Sequence, residues 1–331
     1  MPQNNAAILV ENLPPVFTRA DAHLFGLTDA RLRTLMAHGH LERPRHGLFT
    51  RPGVARGRDT AYLRSIRAAT RQFTAGYAVS HLSAAALHGL PMPLGDWGPV
   101  HLTAIEATQC SRRRDGVTIH HCDSTLTSLT TRRGVVLTSV DRTLADCLRH
   151  FPPRVSVPLA DAALHRGLTK IGSIEAELST QRRWVGRPRA MSTLRLIDGR
   201  RESWLESYSF VRLDEWGISL PVPQVTLLDD HGAFVGRVDG LWAADGTVAE
   251  VDGKEKYLGA DGTEVLYREK AREDDIRDLG LQVVRWGTRD IFGRPQHLQS
   301  RIHARRAVGS LGGVRGSYLL QPPTGLTKSS I

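Results

Sequence analysis

The stretch Arg237-Val238-Asp239-Gly240-Leu241-Trp242-Ala243-Ala244-Asp245-Gly246-Thr247-Val248-Ala249-Glu250-Val251-Asp252-Gly253-Lys254 constrains the fold of this chain more than any other. Strand-forming residues flank Ala243–Gly246, and the Asp-Gly pair is a turn signature, so the run reads as a β-hairpin. If the four-residue turn closes symmetrically, Trp242 faces Thr247 and, counting outward, Asp239 faces Glu250. Directly opposed residues have Cβ atoms about 5 Å apart, where two like charges repel unless something binds between them. Asp252 lies two residues beyond Glu250 and shares its face, with Lys254 close behind. A one-residue slip would remove the Asp239–Glu250 pairing, so the set depends on that register.

Converging carboxylates suit a hard divalent cation, Mg²⁺ or Mn²⁺, held by Asp239, Glu250 and Asp252. Such a cation neutralises a phosphodiester and acidifies a bound water, while a lysine such as Lys254 orients that water or stabilises developing charge. Glu206, on the helix expected before the hairpin, adds either a ligand or a general base. The competing reading is a solvated acidic hairpin with an ordinary turn Asp. Trp204, Leu205, Tyr208, Val211, Leu213 and Trp216 predict a helix ending at Gly217. Strands are expected over 222–228, 234–242 and 247–252, a helix over 263–279, and a buried strand over 281–286. Lys270 and Arg272 on that last helix either touch phosphate or form a surface ion-pair face.

The N-terminal segment has a different rhythm. Thr18 caps a short helix broken by Gly26, and Thr28 caps a second, Asp29 to His38, closed by Gly39. Leu41 to Thr50 comes next as a short hairpin. Two helices at a sharp angle with a hairpin wing form a winged helix-turn-helix, a common DNA-reading module. Arg31 and Arg33 on the second helix, and Arg43 and Arg45 on the wing, are the candidate DNA contacts. A module used for protein contacts, with a solvated basic face, is the alternative.

The middle of the chain reads as α+β. Helices are expected near 60–73, 79–88, 139–149 and 155–165, with strands near 99–104 and 117–121. His81, His88, His120 and His121 lack the spacing of a metal-ligand set, so buried or surface histidines are the better reading. Asp141, Arg142 and Asp146 suit a helix-start charge network.

Together these observations predict a multidomain α/β and α+β protein. The divisions are 1–56, 58–178, a basic linker with the start of a helix over 179–201, a domain over 202–305, and a disordered tail over 306–331. The net charge of +10, from 44 Lys+Arg against 34 Asp+Glu, favours a polyanionic partner. Three cysteines without metal spacing point to a reducing cytoplasm, and no apolar run is long enough to span a bilayer.

Two resemblances add to this reading. The run VFTRADAHLFGLTDARLRTLMAHGHLERPRHGLFTR resembles the N-terminal domain of AbiEi-family antitoxins. The segments around Ser80–Leu90, Val100–Thr103, Thr138–Asp146 and Asp161–Leu164 are similar to the region C-terminal to that domain in its relatives. That resemblance implies a DNA-binding repressor with a cognate toxin or a second copy of itself as partner. The run from Glu202 to Trp286, with its D…ExDGK pattern, resembles the Vsr-like branch of PD-(D/E)XK endonucleases. It implies a restriction-endonuclease-like αβββαβ domain cleaving DNA with Mg²⁺ and no small-molecule cofactor. Asp239 then matches the metal-binding Asp, Glu250 the acidic residue of the (D/E)XK element, and Glu206 the helical Glu. The motif's Lys position holds Asp252, with Lys254 or Lys256 supplying the positive charge.

Overall fold

The computed structural model describes residue 13 and residues 16–45, 48–51, 58–73, 76–95, 97–106, 111–114, 116–122, 126–252 and 262–320. These residues form a mixed α/β structure with three sheets. The chain divides into two compact units, Met1–Cys147 and Leu148–Ile331. The division falls within a helix rather than near residue 178.

The first unit begins with β1 (Val16–Thr18), α1 (Arg19–Leu24), α2 (Asp29–Ala37), β2 (Glu42–Arg45) and β3 (Leu48–Thr50). The caps are those the sequence predicts. The Thr18 hydroxyl accepts from the Asp21 N–H, the Asp21 carboxylate accepts in return from the Thr18 N–H, and Thr28 accepts from the Arg31 N–H. The strand β1 was not anticipated, being only three residues long. It pairs with β3, setting Phe17 opposite Phe49 with ring centroids 5.7 Å apart. Around that pair Leu27, Leu32, Leu35 and Leu41 close a small core. Each such leucine contributes about 1.5–3 kcal/mol by leaving water. The β2–β3 register shifts by one between Glu42 and Arg45. Pro44 lies in that interval and has no N–H to give to the ladder, which accounts for the bulge.

Next come α3 (Arg58–Gln72), β4 (Tyr77–Val79), α4 (His81–Leu87), β5 (Val100–Ala104), β6 (Arg112–Arg114), β7 (Val117–His120), β8 (Leu129–Arg132) and β9 (Val135–Thr138). The strands form one mixed sheet in the order β6-β7-β5-β4-β9-β8, with β5/β7 and β4/β9 parallel. Tyr62, Ile66, Leu102, Ile119 and Leu137 pack between this sheet and α3. Sequence reading misses the β8–β9 hairpin because its turn is Arg133-Gly134, both with positive φ (50° and 76°). Arginine is not a residue that announces such a turn. On α5 (Val140–His150), Arg142 and Asp146 pair at 2.9 Å, both buried, as the charge network predicts.

The second unit contains α6 (Pro153–His165), α7 (Ile171–Thr180), α8 (Arg187–Thr193), α9 (Trp204–Glu215), β10 (Val222–Leu228), β11 (Phe234–Trp242), β12 (Thr247–Asp252), α10 (Gly262–Asp278), β13 (Gln282–Gly287), α11 (Thr288–Gly293), α12 (Pro295–Gly309) and β14 (Ser317–Leu320). The stretch 179–201, read as a basic linker with the start of a helix, carries α8 and a 3₁₀ turn, Leu194–Leu196. Its end is pinned to α6. The Asp161 carboxylate accepts from the Arg201 guanidinium at 2.8 Å and from the Asp198 N–H at 2.7 Å. Complete burial pushes the Asp161 carboxyl up to about 6, against the pull of Arg201. The disordered tail is corrected. Within 306–320, Arg306 pairs with Asp245, and β14 adds to the sheet beside β10. Residues 321–331 lie outside the described residues.

The sheet order is β13-β12-β11-β10-β14. Strands β10, β11 and β12 form an antiparallel meander, and β13 returns parallel to β12 after α10. Leu205, Leu213, Trp242, Val251, Trp286, Leu298 and Ile302 form one core cluster. Val225, Val238, Leu241, Val248, Ile276 and Leu279 form another.

Candidate functional site

The β11–β12 hairpin closes as its residues predict. A 3₁₀ turn, Ala243–Asp245, is followed by Gly246 at φ 51°, a left-handed conformation that favours glycine. Trp242 pairs with Thr247, Leu241 with Val248 and Gly240 with Ala249. The next step of that register sets Asp239 beside Glu250. Here the Asp239 carboxylate takes over from the ladder and accepts the Val251 N–H at 2.7 Å.

The register extends across the sheet. Pro223 pairs with Gly240 and Val225 with Val238, so Gln224 lies opposite Asp239. On the other side Glu250 pairs with Arg285. A polar row, Gln224–Asp239–Glu250–Arg285, thus crosses four strands. Gln224 has a positive φ of 53°, which is uncommon outside glycine. Its side-chain amide donates to the Glu206 carboxylate at 2.9 Å and to Asp239 at 3.4 Å. Sequence reading missed Gln224. The available signal was one amide within an otherwise apolar strand, Val222-Pro223-Gln224-Val225.

Glu206 sits near the start of α9, where Ser203 caps the helix, and is only 5% exposed. Burial first, and then the Asp239 charge, raise its carboxyl above the ordinary range. Glu250 is raised by burial as well; the Arg272 guanidinium, 2.9 Å from Oε2, pulls the other way. Two buried acceptors, Glu250 Oε1 and Gln224 Oε1, have no hydrogen-bond partner among the described residues. A buried oxygen without a donor is costly, and a cation is one thing that satisfies it. All-oxygen donors suit Mg²⁺ or Mn²⁺.

Not every expected residue joins this group. Asp252 turns to Arg285 at 3.5 Å. Among the described residues it does not combine with Asp239 and Glu250 into three ligand atoms within 4.8 Å of one another. Lys254 and Lys256 lie outside the described residues. Lys270 is exposed on α10, whereas Arg272 reaches into the site. Arg285, also missed in the sequence, joins Asp252 to Glu273.

In the N-terminal module Arg31 and Arg33 are exposed on α2, whose Leu32 and Leu35 are buried; Arg31 lies one turn before Leu35 and Arg33 on the far side of the helix. Arg43 is exposed on β2, and the Arg45 side chain is outside the described residues. No helix among the described residues is long and apolar enough to cross a membrane.

Residues 6–52 match the family described as "Transcriptional regulator, AbiEi antitoxin". Two Mycobacterium tuberculosis proteins, Uncharacterized protein MT2308 and Uncharacterized protein Rv2248, are each 32% identical over 157 residues, 47% of this chain. The chain spans about half the length of these curated relatives (56%). The crystal structure of RV2827C protein from Mycobacterium tuberculosis is similar at 20% identity and a TM-score of 0.39, covering 58% of this chain and 75% of that one. That likeness is too slight to bear on fold or function. The N-terminal segment of this chain is similar to an antitoxin-type transcriptional regulator.

Proposed function

We propose that this chain is a DNA-binding regulator of the antitoxin type, which contacts DNA through a winged-helix module at its N-terminus. The observation that carries the reading is the match over residues 6–52, where Arg31 and Arg33 stand exposed on α2. Exposed guanidinium groups on that helix meet phosphates, and the net charge of +10 steers the chain towards a polyanion. Its partners on this reading are DNA and a cognate toxin, with a second copy of the chain completing a dimer. The test is fluorescence anisotropy of DNA from upstream of the chain's own gene. Binding that weakens steeply with salt and is lost in Arg31→Ala/Arg33→Ala supports the reading, and unchanged binding by that variant overturns it.

A second reading rests on a separate observation. The two buried acceptors beside Asp239, Glu250 Oε1 and Gln224 Oε1, favour a Mg²⁺- or Mn²⁺-dependent DNA endonuclease of the PD-(D/E)XK type in the C-terminal unit. Bound there, the cation would polarise a phosphodiester and acidify a water. Asp239 and Glu250 would hold it, Glu206 would keep or move a proton at its buried carboxyl, and Asp252 and Lys254 remain the further candidates. Plasmid cleavage by purified protein with Mg²⁺ tests this. Cleavage that persists in both Asp239→Ala and Glu250→Ala removes the assignment.

A further inference from the structure

The central sheet gathers three histidines that sequence spacing keeps apart. His81 opens α4, His101 is the second residue of β5, and His120 ends β7. Strands β5 and β7 are parallel neighbours, with His101 opposite Thr118 and Thr103 opposite His120. Residues 101 and 103 share a face, as do 118 and 120, so both imidazoles stand on one side of the sheet. The residue before α4, Ser80, donates its N–H to the His101 carbonyl at 3.0 Å, which brings His81 over the same side.

One ligand nitrogen from each of His81, His101 and His120 lies within 4.8 Å of the other two. His101 Nδ1 and His120 Nε2 are 2.9 Å apart. Two nitrogens bound to one tetrahedral zinc at about 2.0–2.1 Å sit roughly 3.3 Å apart, so these differ by only a few tenths of an ångström. His81 Nδ1 is 2.9 Å from the Ser80 hydroxyl. When that nitrogen donates, Nε2 carries the lone pair, which is how an outer partner fixes a ligating tautomer.

Two further observations mark the cluster. His81 and His101 are each 3% exposed, so the two imidazoles are held away from bulk water. His81 also holds φ at 51°. A non-glycine residue there is strained, and such strain collects at functional sites.

We propose that His81, His101 and His120 form a zinc site that joins the start of α4 to the β5–β7 strand pair. Among the described residues no carboxylate or thiolate joins the three imidazoles, and such a donor set selects a borderline divalent ion such as Zn²⁺ over Mg²⁺, with water in the fourth position. The His81 and His120 rings are nearly parallel, with centroids 3.7 Å apart at 20°. Parallel rings do not aim their in-plane lone pairs at one point. Uptake therefore turns the half-buried His120 ring, and the hydrogen between His101 Nδ1 and His120 Nε2 moves to the far nitrogen of its own ring so that both nitrogens present lone pairs.

The test uses full-length protein carrying Asp239→Asn and Glu250→Gln, which removes the carboxylate pair of the other unit. The protein is stripped with chelator and titrated with Co²⁺, then challenged with Zn²⁺. The expected result is one Co²⁺ per chain with the visible absorption of a four-coordinate ion, displaced by Zn²⁺. His120→Asn and His81→Asn, the latter tolerant of the left-handed φ, are expected to weaken binding by more than about tenfold. Folding of each variant is checked by circular dichroism. If one fails to fold, X-ray absorption of the zinc-loaded parent replaces it, with imidazole scattering expected around the metal. Failure to bind beyond the dialysis background overturns the proposal. So does parental affinity in both folded histidine variants, or a spectrum without imidazole.

Discussion

Arg272 donates Nη2 to Glu250 Oε2 at 2.9 Å, and so places a guanidinium where a bound cation would draw on the same carboxylate. Its Nη1 donates to the Arg237 carbonyl at 3.0 Å, holding the arm against β11. Glu250 is nearly buried, so its charge depends on this partner. Arg272→Met is expected to cost about 1–3 kcal/mol by leaving a buried acceptor without its donor. Arg272→Met/Glu250→Gln is expected to recover most of that loss. Urea unfolding of the four proteins in EDTA measures it, and equal losses in the single and double variants would contradict the pairing.

The raised carboxyls at Glu206 and Glu250 give a pH dependence with a definite sign. A group whose folded pKa lies above its unfolded value stabilises the fold below the unfolded pKa. That contribution is lost as pH rises through the folded pKa. Glu250→Gln is therefore expected to melt above the parent at pH 7 in EDTA, with the gap narrowing as pH falls through the raised folded value and closed below the ordinary Glu range. Asp161, pushed up to about 6, is expected to titrate near pH 6 in the folded protein, and its stability contribution is lost as pH rises from about 4 through 6. Carbon-13 NMR of Asp carboxyls reads it directly; a midpoint near 4 would remove burial as the dominant cause.

On the proposed DNA-binding reading the exposed arginines of α2 act through phosphate charge, and each phosphate contact adds about 0.9 to the slope of log affinity against log salt. Arg31→Ala and Arg33→Ala are each expected to reduce that slope by roughly one where they meet a phosphate. Anisotropy titrations over a salt series measure the slopes. An unchanged slope with weaker binding would point to a fold defect instead.

Gly246 carries the left-handed φ that closes the hairpin, and a Cβ there would lie 2.8 Å from Val314 Cγ2. Gly246→Ala is expected to cost about 1–2 kcal/mol from the backbone alone, plus the shift of Val314. Thermal unfolding checks the loss. A neutral outcome would show that the turn has another way to close.

Much of this protein was legible in the residues because the signals were local. Thr18 and Thr28 reach their own helix ends, and the Ala-Ala-Asp-Gly turn with its flanking alternation sets Trp242 against Thr247. That register carries Asp239 to Glu250 without knowledge of any other strand. What tertiary structure decided was non-local. Gln224 enters the site only because β10 lies beside β11, and Arg272 turned inward because α10 passes over a buried carboxylate. Asp161 and Arg201 converted an expected linker into packed structure, since neither charge is buried without the other. β14 was invisible because its residues find hydrogen-bond partners only along β10. His81, His101 and His120 are 39 residues apart from first to last and meet only through the parallel pairing of β5 with β7. Periodicity describes which face a residue takes, but only the packing of strands and helices chooses its neighbours.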